Sequence, residues 1–166
     1  MKYALLATQI EKNLLLQKKL NMKILGIGNA IVDVICKVDD DFINKNNLTK
    51  STMKLFFDEK EFKNLLTNLK IEKTVSGGSV ANSIVGISQL GDKAGFIGKI
   101  ADDTFGSNYE EGLKKENVEY FYSKKKEELP TGTCLILVTP DSERTMCTFL
   151  GTAGKINEND ISSDAV

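Results

Sequence analysis

Two adjacent glycines, Gly77 and Gly78, stand directly before an amphipathic segment, and together they could bind an oxygen-rich ligand. Glycine tolerates a positive φ and lets a ligand approach the backbone. The unpaired N–H groups and the positive dipole end of a following helix favour anionic or hydroxylated groups. Asn82, in the first turn of that expected helix, should face the same opening. An isolated glycine pair is also typical of a tight turn into a packed helix, so these residues alone leave both interpretations open.

Asp33 is the second candidate for chemistry, because it is a carboxylate within the apolar, β-branched segment 31–38. Burying it without a partner would be costly, so its side chain should lie at an exposed strand edge or be held by hydrogen-bond donors. Sugar hydroxyls are such donors.

These side chains must be positioned by the elements around them, beginning with a helix predicted from about Ser79 to Leu90. Its apolar residues recur at helical spacing, Ser79 is its predicted N-cap and Gly91 suits the position after its end. Strands are predicted at 23–29, 31–38, 53–57, 94–100 and 118–122, with a hairpin formed by 131–139 and 144–150. The alternation of strands and helices favours a parallel α/β sheet.

Acidic and amide residues mark the starts of further predicted helices. Asp58 should cap one helix, Asp102 or Asp103 a second, and the pair Asn159-Asp160 a third. The charged segment 124–128 is expected to be a solvated link. The pair Gly26-x-Gly28 does not continue as a dinucleotide-binding fingerprint, because Ile31 occupies the third glycine position and a strand follows.

Residues 77–106 contain, in order, the glycine pair, Asn82, a helix, a strand and the turn Asp103-Thr104-Phe105-Gly106. This block resembles the N-terminal signature of the ribokinase/PfkB family of carbohydrate and nucleoside kinases. The resemblance implies an α/β, ribokinase-like fold: a Rossmann-like parallel sheet with flanking helices plus a small β-sheet lid, truncated in this chain. It implies that 22–166 form the N-terminal portion of the kinase domain, with lid strands near 31–38, 53–57 and 132–150.

The resemblance also assigns a substrate site, because Gly28-Asn29-x-x-x-Asp33 is similar to the first substrate motif of the family. It implies that the hydroxyls of a sugar bind to Asn29, Asp33, Gly77, Gly78 and Asn82. Asp103 matches a signature aspartate of the family, but its expected cap role already explains it and we assign it no catalytic role.

The hairpin region favours a nucleoside substrate. The run Thr131-Gly132-Thr133-Cys134 and the pair Arg144-Thr145 are similar to adenosine-kinase-like members of the family. Arg144 is the only arginine in the sequence and is expected to be either a lid contact or a solvated turn charge.

The family implies ATP and Mg²⁺ as cofactors, but the sequence has no Gly-Ala-Gly-Asp motif, which holds the catalytic aspartate in the family. Gly151-Thr152-Ala153-Gly154 is only superficially similar, since no aspartate follows it. We therefore expect no catalytic residue and no metal site in this chain, and no activity from it alone.

The near balance of charges favours a small neutral molecule as the binding partner. The 22 Lys and Arg residues nearly balance the 23 Asp and Glu residues, so no nucleic-acid or anionic membrane surface is indicated. The absence of histidine excludes histidine-based catalysis. The three cysteines, Cys36, Cys134 and Cys147, are widely spaced in apolar surroundings and are expected to be reduced core residues of a cytoplasmic protein.

Residues 1–21 are predicted to be an N-terminal extension outside the fold, either an appended helix or the product of an upstream start codon. They are too polar to span a membrane.

Two other interpretations of the whole chain stay open: a non-catalytic sugar-binding or interaction module, and an ordinary doubly wound domain without a sugar site. Among kinases, a free sugar such as ribose or fructose is the alternative substrate. The lid strands could also pair in a homodimer.

Overall fold

The computed structural model describes residues 24–161 and contains two sheets with four helices. The strands are β1 (Ile24–Ile27), β2 (Ile31–Lys37), β3 (Met53–Phe56), β4 (Ile71–Gly77), β5 (Ala94–Ile97), β6 (Glu119–Tyr120), β7 (Gly132–Val138) and β8 (Arg144–Phe149). The helices are α1 (Asp40–Lys45), α2 (Glu59–Thr67), α3 (Ser79–Gln89) and α4 (Thr104–Lys115), followed by 3₁₀ turns at Gly151–Lys155 and Glu158–Asp160. The predicted extension at 1–21 lies outside the described residues.

The first sheet is parallel and has the strand order β1-β5-β6. Helix α3 packs closely on this sheet at Gly26, where a side chain would not fit. A Cβ added to Gly26 would lie 2.6 Å from Cγ1 of Ile84 in α3. Phe96, Tyr109 and Tyr120 form an aromatic cluster between this sheet and α4, with ring centroids 6.0 to 6.3 Å apart. Gly26, Phe96 and Tyr120 are register partners on one face of the sheet, so α3 and α4 both contact that same face.

The second sheet is mixed and has the strand order β3-β8-β7-β2-β4. Strand β2 lies at its interior, antiparallel to β4 and parallel to β7. One face carries Val32, Val34 and Cys36 into the main hydrophobic core, which includes Phe62 of α2. The opposite face carries Asp33 and is only partly covered. The strands predicted near 31–38, 53–57 and 132–150 all lie in this sheet, so the predicted α/β combination of a parallel sheet, flanking helices and a second sheet is confirmed. The second sheet was expected to be small, but among residues 24–161 it has five strands and the parallel sheet has three.

The predicted caps of two helices are confirmed, and that of a third is wrong. Asp58 and Asp103 cap α2 and α4 by accepting hydrogen bonds from the N–H groups of Glu61 and Gly106. Ser79, predicted as an N-cap, is instead the first residue of α3, and Gly78 is the N-cap. The reason is that Gly78 adopts a φ of 96°, a conformation that serine rarely adopts, so the backbone turns one residue earlier.

Other elements also differ from the prediction. The strand at 118–122 is reduced to β6, and helix α1 and strand β4 were not predicted. The helix expected after Asn159 and Asp160 is a short 3₁₀ turn whose cap is Asn157. Among the described residues, no helix combines the length and apolar character needed to cross a membrane.

Candidate functional site

Asp33 lies in the interior of the mixed sheet, on its partly covered face. Its neighbours across the strands are Val75 of β4 and Cys134 of β7. The residues on either side of it, Val32 and Val34, point into the core, so the carboxylate points away from the core and is half-buried. The sequence left open whether Asp33 sits at an exposed edge, and the structure places it between two other strands.

The Asp33 carboxylate forms no hydrogen bond or ion pair with any of residues 24–161. Burial raises the pKa of this carboxyl above its ordinary value, and no neighbouring charge opposes that rise. No fully buried side-chain nitrogen or oxygen of the described residues lacks a partner, so the Asp33 oxygens are accessible from the partly covered face. They are therefore free to accept hydrogen bonds from a ligand that donates them.

Gly77 has no side chain, and this leaves the space that the Asp33 carboxylate occupies. A Cβ added to Gly77 would lie 2.6 Å from Cγ of Asp33, and real side-chain contacts are never that short. The carbonyl of Gly77 accepts a hydrogen bond of 3.2 Å from the Tyr109 hydroxyl, which fixes the strand from its other face. Any larger residue at position 77 would therefore displace the Asp33 side chain.

Gly78 connects the sheet to α3 and lies against Asn29. Its φ of 96° favours glycine, and a Cβ here would lie 2.5 Å from the carbonyl oxygen of Asn29. Asn29 itself is exposed in the turn between β1 and β2. The structure thus brings Asn29, Gly78, Gly77 and Asp33 into one continuous group at the start of α3.

The start of α3 has no side-chain cap. By contrast, aspartates cap the other three helices of the described region, at Asp39, Asp58 and Asp103. The first N–H groups of α3 are therefore available to an external acceptor, and they lie beside an unpaired carboxylate that needs donors. A vicinal diol could satisfy both, because each hydroxyl donates one hydrogen bond and accepts others.

Asn82, the fifth predicted ligand, is exposed and lines a cavity of about 420 Å³ between β4, α3 and α4, together with Ser76 and Asn108. Asp33 does not line this cavity, and no hydrogen bond joins it to Asn82. The structure does not bring the Asn82 amide into the group around Asp33, and its role in binding stays a prediction.

Arg144 is the first residue of β8 and is exposed at the end of the β7–β8 hairpin. It lies opposite Val138, which is on the same sheet face as Cys134 and Asp33 but four positions further along β7 than Cys134. Its guanidinium has no carboxylate partner among residues 24–161. Arg144 thus shares a face with Asp33 without contacting it.

Sequence reasoning missed the strand neighbours of Asp33. Cys134 is its partner in β7, and the Cys134 sulfur accepts a hydrogen bond of 3.2 Å from the Thr148 hydroxyl. This pairing depends on a parallel register between distant segments, for which the sequence carries no local signal. The three cysteines are buried and free, as predicted.

A separate buried cluster of charges lies at the carboxyl end of β5. Lys99 donates to both carboxylate oxygens of Asp160, at 3.2 and 3.1 Å, and lies 3.4 Å from Glu127. Lys125 approaches the same aspartate at 3.4 Å, and the Tyr122 hydroxyl donates to Glu127 at 2.8 Å. The segment 124–128 was predicted to be a solvated link, but the Glu127 side chain is only 14% exposed because it is a counter-charge for the buried Lys99.

Comparison with known proteins gives one family. The family model described as pfkB family carbohydrate kinase matches residues 23–165. A fructokinase of Escherichia coli is 40% identical over 74 residues, which are 45% of this chain and 24% of that protein. A 5-dehydro-2-deoxygluconokinase of Mesomycoplasma hyopneumoniae (strain 232) is 27% identical over 132 residues, covering 78% of this chain and 38% of the relative.

Solved structures agree with this match. An adenosine kinase from Sinorhizobium meliloti has a TM-score of 0.76 and 33% identity, covering 87% of this chain and 44% of that structure. The adenosine kinase of Anopheles gambiae, solved with P1,P4-di(adenosine-5) tetraphosphate, has a TM-score of 0.74 and 26% identity, covering 86% of this chain and 45% of that one. The chain spans less than half of the length of these proteins. It belongs to the pfkB family of carbohydrate kinases.

Proposed function

We propose that this chain is the substrate-binding portion of an ATP-dependent kinase that phosphorylates a hydroxyl of a ribose-bearing substrate, with an adenosine-like nucleoside as the preferred ligand. The observation that carries the proposal is the unpaired, half-buried carboxylate of Asp33 beside the uncapped start of α3. In this arrangement Asp33 accepts hydrogen bonds from two neighbouring hydroxyls, and the N–H groups at the start of α3 bind their oxygens.

The face around Asp33 favours a ligand with an apolar part. Val75 and Leu55 lie in the same row of the mixed sheet and are 40% and 36% exposed, and Met146 in the next row is 37% exposed. A nucleobase could cover such side chains, whereas a free sugar would leave them in contact with water. The solved adenosine kinases with similar folds support the same choice.

A free-sugar kinase is the second candidate, because the fructokinase of E. coli shares 40% identity over its matched residues. A ribokinase of Mus musculus is also similar, at 29% identity over 89 residues. Asp33 and the start of α3 would serve a free sugar in the same way, since both groups recognise hydroxyls and not a base.

ATP and Mg²⁺ belong to the proposal only for the full-length protein. Among residues 24–161 there is no group of three or more acidic or cysteine side chains that could hold a metal ion. The 166 residues also lack a Gly-Ala-Gly-Asp motif. The residues present do not fit these cofactors, so we assign no step of phosphoryl transfer to this chain and expect no turnover from it alone. We place the reaction in the cytoplasm, where free cysteines stay reduced.

Calorimetric titration of the full-length protein with adenosine, ribose and fructose tests the proposal. Adenosine should bind more tightly than either sugar. Asp33→Asn should weaken binding by at least about tenfold, because hydrogen bonds to a charged group contribute about 1.5–3 kcal/mol. Asp41→Asn, at an exposed aspartate on α1, is the matched control and should bind like the wild type.

Each outcome of the titration has a meaning. Tighter binding of fructose or ribose than of adenosine would establish the second candidate. Wild-type affinity in Asp33→Asn would remove the site assignment for every substrate.

A further inference from the structure

Asp103 makes contacts that a helix cap does not need. Like Asp39 and Asp58, it accepts a hydrogen bond from the N–H three residues later, here 2.7 Å from Gly106. Unlike them, it also accepts from the backbone N–H of Thr131 at 2.9 Å and from the Thr131 hydroxyl at 2.8 Å. One carboxylate thus joins the start of α4 to a residue far along the chain.

Thr131 directly precedes β7 and is 1% exposed. Its hydroxyl donates to Asp103 and accepts a hydrogen bond of 3.0 Å from the N–H of Ala101, in the segment between β5 and α4. The hydroxyl therefore uses both its donor and its acceptor capacity to connect the parallel sheet with the mixed sheet.

The surroundings of this junction leave little room for movement. A Cβ on Gly132 would lie 2.6 Å from Cδ1 of Ile31 and 2.7 Å from the carbonyl oxygen of Leu150. Thr152 donates its N–H to the carbonyl of Pro130 at 2.9 Å. The residues on either side of Thr131 are thus in contact with β2 and with the segment that follows β8.

The junction leads directly to the candidate site. Strand β7 begins at Gly132, and Cys134 in β7 is the register partner of Asp33 in β2. A shift of Thr131 would move β7, and β7 would carry β2 with it because the two are paired along their length. The direction of Asp33 relative to the start of α3 thus depends on where Thr131 is held.

We propose that Asp103 is a positioning residue for substrate binding, acting through Thr131 and β7 without contacting the substrate itself. This inference rests on the proposed function. The cap predicted from the sequence is one of its two roles, and the bond to Thr131 is the other.

The chain offers a matched comparison of two caps. Asp103→Asn and Asp58→Asn make the same chemical change, and asparagine is as good a cap as aspartate. At position 103, however, the amide cannot accept from Gly106 and from both Thr131 groups, because its nitrogen is a donor. Thr131→Val removes the hydroxyl from the other side, and Thr131→Ser keeps it.

The first measurement is amide hydrogen exchange in the full-length protein. Exchange of the Thr131 amide should be at least about tenfold faster in Asp103→Asn than in the wild type and unchanged in Asp58→Asn, since only the first variant loses its acceptor. Equal exchange in the two variants would overturn the positioning role, because Asp103 would then act only as a cap.

The second measurement is the binding of adenosine, ribose and fructose by the same variants. The dissociation constant of the bound ligand should rise about tenfold in Asp103→Asn and Thr131→Val and stay within twofold of the wild type in Asp58→Asn and Thr131→Ser. If the wild type binds a ligand and all four variants match it, the positioning role is overturned and the proposed function stands. If the wild type binds none of the three, both are overturned.

Discussion

Asp33 and Asp160 are both carboxylates withdrawn from solvent, but their surroundings are opposite. Asp160 is 9% exposed and is bonded to Lys99, to Lys125 and to the N–H of Asn157. These partners hold the pKa of Asp160 below its ordinary value in spite of its burial. Asp33 has none of these partners among the described residues, and burial raises its pKa.

This difference in partners indicates that Asp160 is a structural carboxylate and that Asp33 is available to a ligand. A buried charge whose bonds are already complete contributes to the fold and has little capacity left for recognition. A carboxylate that the fold leaves unpaired costs stability unless something else completes it. The free energy of unfolding of variants, measured by urea denaturation of the full-length protein, should reveal this contrast.

The largest effect is expected from Asp160→Ala. Removing this side chain leaves Lys99 buried without its closest partner, which should cost about 3–5 kcal/mol of unfolding free energy. Asp33→Ala breaks no bond and should cost much less. Replacing Lys99 by Met, Asp160 by Leu and Glu127 by Gln together should recover most of the loss, because none of the three charges then remains buried. Comparable losses in Asp33→Ala and Asp160→Ala would contradict the contrast between them.

The next effect is expected from Gly77→Ala. The added methyl group would overlap the Asp33 carboxylate, and forcing extra volume into a packed site costs about 1–3 kcal/mol. Gly86→Ala, within α3, is the matched control because its Cβ would have no atom within 4 Å, and it should stabilise the helix by about 0.5–1 kcal/mol. Two substitutions of the same size should therefore act in opposite directions. Destabilisation by both would show that the space beside Asp33 is not special.

The smallest effect is expected in the dependence of stability on pH. A carboxyl whose pKa is raised by folding is penalised in its charged form, so Asp33→Asn should make the protein more stable at pH 7. This gain should vanish as the pH falls below the ordinary carboxyl pKa of 3.8, where the wild-type side chain is protonated in both states. Urea denaturation of the wild type and Asp33→Asn between pH 3 and pH 7 would measure this gain in unfolding free energy.

Asp160 should behave in the opposite way. Its pKa is lowered by folding, so its contribution to stability is present above pH 3.8 and is lost as the pH falls through the folded pKa.

For Asp33, the contradicting result is a difference in unfolding free energy between wild type and Asp33→Asn that grows towards low pH. Such a result would contradict the assignment of Asp33 as an unpaired group.

The sequence was sufficient for features that local chemistry determines. Helix α3 was predicted to within one residue at its end, and Gly91 adopts the positive φ expected of the residue after a helix. The bonds from the N–H groups of Gly91 and Asp92 to the carbonyls of Ser88 and Ile87 complete that helix end. Asp33 and the glycine pair were also recognisable, since a carboxylate in an apolar strand and two adjacent glycines are both unusual.

Features that depend on distant contacts could not be predicted in the same way. Strand β4 has exposed polar residues such as Glu72 and Lys73, so it lacks the alternation that marks a half-buried strand. Its pairing with β2 determines that it is a strand. The partners of Lys99 and the second role of Asp103 likewise depend on residues brought together only by the completed fold.

The missing cap of α3 has a consequence for how occupancy and folding depend on each other. Within residues 24–161, α1, α2 and α4 each have an aspartate cap for their first N–H groups, whereas the N-cap of α3 is Gly78, which has no side chain. If the proposed function is correct, a bound hydroxyl would act as a removable cap, so the first turn of α3 would be stabilised when substrate binds and would lose that stabilisation when product leaves.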